Sequence, residues 1–191
     1  MMTHSLRRYF AIGLLLFLAG LAALAQRHRD PFTSAEIDQI RDASWEPQQR
    51  LALYVKFARE RLVGMEQMRS DPKVKNRALQ THDRLDDFVL IYDELNDNID
   101  TYIGRRNDIR KPLKTIIDAD TEFQAKLRAL KDAADVPAEE AKQYEFVLTN
   151  ALDTLDTSAE DHRKLLVDQE DAAKHKQLNS NANAKSAGKP E

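Results

Sequence analysis

The sequence contains no cysteine. Disulfide staples, thiol catalysis, cysteine-ligated zinc, iron–sulfur clusters and CxxCH haem attachment are therefore excluded. Glycine is scarce: five in 191 residues, and Gly13 and Gly20 lie within the first twenty. Sheet proteins use glycine at tight turns and bulges, so its scarcity argues against an all-β or α/β fold. Aromatic residues make up only 7%. No sign of charge dominates, and a net charge of −3 gives no global field that would draw in nucleic acid. The sequence also lacks a Gly-x-Ser-x-Gly elbow, a His-Glu-x-x-His pair and the Glu-x-x-His pair of di-iron bundles.

What is present is an apolar content of 42% beside a charged content of 32%, enough for one core in a wet shell. The first 25 residues have the three parts of an export signal. Arg7 and Arg8 are the positive start, Tyr9–Leu24 is the greasy middle, and Ala23-Leu24-Ala25 offers the small residues of a cleavage site. Cleavage between Ala25 and Gln26 is expected, giving a periplasmic or secreted protein. Arg27 and Arg29 follow the run directly, so the alternative is an uncleaved segment anchoring a domain outside the cytoplasm. Membrane contact is expected only through that segment.

The domain expected over 26–170 reads as helices. Thr33-Ser34-Ala35-Glu36 is a capping box opening a short helix with Ile37 and Ile40 inward. Pro47 suits a first helical turn. After it Leu51, Tyr54, Ala58, Leu62, Met65 and Met68 recur at the three- and four-residue spacing of one helical face, until Ser70-Asp71-Pro72 breaks the pattern. Val74, Ala78, Leu85, Val89, Tyr92, Ile99 and Ile103 form the next stripe, with Asn96 inside it. A lone polar residue in an apolar seam often fixes register. Gly104 and Pro112 punctuate its end. Leu113, Ile116, Ile117, Phe123, Leu127 and Leu130 make a third stripe, and Tyr144, Val147, Leu148, Ala151, Leu155, Leu165 and Leu166 a fourth. From Asp171 to Glu191 polar residues dominate, a composition expected to stay disordered.

Four stripes joined by short breaks predict an all-α fold: an antiparallel up-down bundle of four main helices plus a short N-terminal helix. The alternative makes one long helix kinked at Pro112, with the flanking helices folded back on it. Charge favours the bundle. Arg50–Arg77 holds eight basic residues against three acids, and Glu139–Asp171 ten acids against three basics; in a closed bundle these two helices are expected as antiparallel neighbours.

Several clusters are candidate sites. Asp86, Asp93, Asp97 and Asp100 share one helical side, and carboxylates gathered this way suit Ca²⁺ or Mg²⁺. Folding about Ser70–Pro72 is expected to bring Lys56 near Asp86 and Arg50 near Tyr92, which would pair the acids instead. Arg105, Arg106, Arg110, Lys111 and Lys114 form a basic corner with Asp108 among them; it suits an anionic partner such as lipid headgroups or a phosphorylated ligand. The acidic end of the last helix, Asp161, Asp168, Glu170 and Asp171, is the competing partner for it. His162 lies on the last stripe, one turn from Ser158, and His82 lies near Met65 and Met68. These residues suggest a Met/His haem or copper site and a Ser/His hydrolase. Neither has a full ligand set or an oxyanion donor, so no cofactor and no catalytic residue is expected. The functional expectation is an exported, non-enzymatic helical protein that binds another protein or itself. The alternative is a cation or small-ligand binding protein of the cell envelope.

Overall fold

The computed structural model describes residues 30–187. The expected export signal, the cleavage position Ala25/Gln26 and residues 188–191 lie outside them. Six helices follow one another: α1 Ser34–Asp42, α2 Pro47–Ser70, α3 Arg77–Gly104, α4 Arg110–Lys131, α5 Ala138–Ala141 and α6 Glu145–Ala187. Among the described residues there is no strand, and no helix is long and apolar enough to cross a membrane.

The fold is an all-α bundle of α2, α3, α4 and α6. α2 packs chiefly on α3, and α4 on α6; the two pairs meet with α2 against α4 and α3 against α6. Side-chain pairs give the directions. Arg69 meets Thr81 across the α2–α3 hairpin, so those helices run antiparallel. Gln124 meets Asp156 and Lys114 meets Glu170, so α4 and α6 do too. Arg59 meets Glu122 and Glu66 meets Lys126, which sets α2 and α4 parallel.

This order corrects the charge argument. α2 and α6 lie across the bundle rather than side by side. The basic residues of α2 find their acids on α1, α4 and α5, at Glu36, Glu122 and Glu140. The acids of α6 meet basic residues of α4, at Arg128–Asp156 and Lys114–Glu170. The exposed pairs among them, Arg59–Glu122, Arg128–Asp156 and Lys114–Glu170, are worth a few tenths of a kcal/mol to about 1 kcal/mol each, too little to choose the neighbours. The apolar stripes choose them. Leu51, Phe57, Leu62, Leu85, Phe88, Leu95, Leu113, Phe123, Leu127 and Leu155 are all sealed from solvent. Phe123 stands edge-on to Phe88 at 5.4 Å between centroids, a ring geometry that adds about 0.5–1.5 kcal/mol to area burial.

Helix starts follow the sequence signals. Thr33 Oγ1 accepts the Glu36 N–H and Glu36 Oε2 accepts the Thr33 N–H, closing the capping box. Pro47 is the first residue of α2. α1 turns inward one residue away from expectation: its covered row is Glu36, Ile40 and Ala43, and Ile37 is exposed. The cause is Arg61, whose guanidinium grips both Glu36 carboxylate oxygens at 2.9 and 2.7 Å.

The α2–α3 link is longer than the Ser70–Pro72 break. It runs through Asn76, which takes a left-handed φ of 55°, a conformation Asn tolerates. The hairpin register moves accordingly by about two helical turns. Arg84 lies against Gly64, and the positive charge of Arg50 acts on the Tyr102 hydroxyl instead of lying beside Tyr92.

Pro112 marks a corner and not a kink. α3 ends at Gly104, and Pro112 sits in the first turn of α4, where a missing N–H leaves no helical bond unmade. Gly104 is not the residue that turns the chain. Arg106 is, at φ 58°. Its N–H reaches the Ile103 carbonyl, and the Asn107 N–H reaches that of Tyr102, the bond pair of a Schellman stop whose left-handed residue is usually glycine. Arg106→Gly is therefore expected to stabilise the fold by about 1 kcal/mol, read as a higher urea midpoint at unchanged slope.

α6 continues past the last buried stripe residues. The segment from Asp171, expected to be disordered, is helical as far as Ala187. At about 1.5 Å per residue the 43 residues of α6 outrun the 22 of α4 by roughly 30 Å.

Candidate functional site

Three polar side chains point into the core from three different helices: Tyr92 of α3, Asp120 of α4 and His162 of α6. Asp120 is completely enclosed and His162 is 3% exposed. Each sits at a stripe position of its helix, so the packing that buries the apolar residues carries these groups inward with them. Burial without partners would cost several kcal/mol, and partners are present. The Tyr92 hydroxyl donates to Asp120 Oδ1 at 2.7 Å. His162 Nδ1 donates to Asp120 Oδ2 at 2.9 Å. On the other side of the ring, His162 Nε2 lies 3.2 Å from Asn96 Oδ1, and Asn96 Nδ2 donates to Ser158 Oγ at 2.9 Å. The Asn96 amide thus joins the imidazole to the Ser158 hydroxyl. Burial and the Asp120 charge push the Tyr92 hydroxyl far above its ordinary value, so it stays a donor. The chain of bonds closes on itself through α3, α4 and α6.

This arrangement orients; it does not present a nucleophile. Ser158 accepts from Asn96, and His162 Nε2 faces the same amide instead of the Ser158 hydroxyl. Ser158 and Asn96 edge a shallow groove of about 320 Å³ with Asp100, Asp161 and Lys164 around it. No backbone N–H of these helix interiors is free to hold an oxyanion.

The acidic stripe is placed on the outside of α3. Asp86, Asp93, Asp97 and Asp100 are all exposed. Partial desolvation, then repulsion from Asp97 and Glu94, holds the Asp93 carboxyl above its ordinary value. Among the described residues no three His, Cys, Asp or Glu side chains converge as metal ligands would. His82 lies beside Asp83, with 3.7 Å between Nδ1 and Oδ1.

The basic corner is brought together, with additions from α6. Arg110 holds Asp108 through Nε and Nη2 at 2.9 and 2.6 Å. These bonds and one from the Arg110 N–H hold the Asp108 carboxyl down at about 2. Lys114 pairs with Glu170 at 3.0 Å, the one contact of the expected acidic partner that forms. Arg105, Arg106 and Lys111 form no ion pair among the described residues. Gln169 of α6 clamps the corner: its Oε1 accepts the Ile109 N–H and its Nε2 donates to the Asn107 carbonyl. Arg106, Arg110 and Lys176 line an open groove of about 490 Å³ there.

A buried ion pair that the sequence does not mark joins α1 to α2. Arg61 and Glu36 are 7% exposed each, with Asp87 buried next to them. On the outside, Trp45 is 92% and Phe146 86% exposed. Comparison of the chain with protein-family models, with curated proteins and with solved structures found no match.

Proposed function

We propose that this is an exported, non-enzymatic helical protein that binds another protein or a second copy of itself. The observation that carries the reading is the exposure of Trp45 and Phe146. Trp45 is the chain's one tryptophan and sits in the turn between α1 and α2; Phe146 opens α6. Leaving a large aromatic ring in water forgoes about 2–3 kcal/mol of burial, and aromatic side chains are the usual anchors of protein interfaces. The buried polar chain supports the same reading, because its groups serve one another. Export is supported by Arg7, Arg8, the apolar run to Leu24 and the Ala23–Ala25 cleavage pattern.

Light scattering of the exported protein, and pull-down from the exported fraction, compared with a Trp45→Ser/Phe146→Ser double variant, tests the reading. The expected result is an oligomer or a retained partner that the double variant loses with its melting temperature unchanged. A strict monomer that retains nothing overturns it. Intact mass tests export separately: the expected chain starts at Gln26.

A further inference from the structure

We propose that the groove at the α3–α4 corner is a binding site for phosphate-bearing ligands, either a free phosphorylated compound or a phospholipid headgroup. Three cations from three elements line it: Arg106 of the link, Arg110 of α4 and Lys176 of α6. Asp108, the one acid there, is already matched by Arg110. Arg106 and Lys176 form no ion pair among the described residues, so two positive charges face the groove uncompensated. A guanidinium can grip two phosphate oxygens at once, and a lysine adds a point charge. The volume, about 490 Å³, falls in the range of small-ligand sites and leaves room for the body that carries the phosphate.

The backbone supplies an independent argument. Arg106 occupies a left-handed position at φ 58°, where glycine would sit without strain. A strained residue that offers a free cation to a groove is the pattern expected of a residue kept for binding. The Gln169 clamp on Asn107 and Ile109 holds the groove wall in place before any ligand arrives. The site differs from the basic corner read from sequence: Arg105 and Lys111 lie outside its lining, and Lys114 is taken by Glu170. Neither Trp45 nor Phe146 is part of its lining.

The test uses the full exported chain with two probes: calorimetric titration with inorganic phosphate, and co-sedimentation with phosphatidylcholine vesicles with and without phosphatidylglycerol. Saturable binding is expected with at least one probe. It is expected to weaken about tenfold or more in Arg106→Gly/Lys176→Gln and to change less than about twofold in Arg105→Gln/Lys111→Gln, which removes equal charge outside the groove. Phosphate binding assigns a free ligand; groove-dependent binding to anionic vesicles alone assigns a headgroup. Because Arg106→Gly relieves strain, its melting temperature should not fall, and lost affinity then reports the site. No binding to either probe, or equal weakening in both variants, overturns the proposal.

Discussion

Asp120→Ala is expected to destabilise the protein by about 2–6 kcal/mol, the cost of stranding two buried donors at about 1–3 kcal/mol each. The carboxylate accepts both the Tyr92 hydroxyl and His162 Nδ1. Alanine would leave two donors stranded in the core, and an unpaired buried polar group costs about 1–3 kcal/mol by itself. Asp120→Asn should cost less, about 2 kcal/mol, because its oxygen can still accept from Tyr92 while its amide meets the His162 N–H donor to donor. Replacing both partners, as Asp120→Leu/His162→Leu, should recover part of the loss, since the imidazole leaves together with its acceptor while the Tyr92 hydroxyl still loses Asp120. Urea unfolding of the four proteins measures all of this. A loss below 1 kcal/mol for Asp120→Ala would mean that water reaches the group.

The second large effect lies at Glu36 and Arg61. Their carboxylate–guanidinium pair is doubly bonded and buried, and Arg61 also donates to the Pro31 carbonyl at 2.7 Å. It pins the chain ahead of α1, and α1 itself, onto α2. Burial opposes ionisation of Glu36. The bonds from Arg61 and from the Thr33 N–H outweigh it and hold the carboxyl below its ordinary 4.5. A carboxyl lowered in the folded state stabilises that state above its unfolded pKa, and this contribution is lost as pH falls through the folded value. Glu36→Gln is therefore expected to cost about 3 kcal/mol at pH 7, with the difference from the parent shrinking steadily below pH 4.5. Denaturant midpoints from pH 7 to pH 3 measure it. A difference that stays constant with pH would show that the ion pair is not the source of the stability.

The helices were legible because their stripes are regular, and burial of those stripes is what the fold obeys. Leu51, Tyr54, Ala58, Leu62 and Met65 are covered where the spacing put them. The neighbour order of the bundle was less legible, because surface charge carries little energy and suggested α2 beside α6. The helix α3 ends at Gly104 as the sequence suggests, but the left-handed turn that glycine normally marks is taken by Arg106. The buried network was half visible. Asn96 stands out as a polar residue in a seam, and His162 as a histidine on one, but Asp120 is not among the residues the stripes single out. Its spacing held the signal: it fills the stripe between Ile116 and Phe123, four residues after one and three before the other. Arg61 likewise sits three residues after Ala58 in the stripe of α2. A charge at a core position of a helix predicts a buried partner, but a single helix cannot say which one.

The central claim is that the core closes around the chain Tyr92–Asp120–His162–Asn96–Ser158, which fixes α3, α4 and α6 against one another. Nitrogen-15 NMR of the histidine side chains tests it most directly. The account predicts a His162 Nδ1–H proton in slow exchange with water, with proton–proton contacts from that ring to Tyr92. A His162 ring whose protons exchange rapidly and which shows no contact with Tyr92 would contradict it.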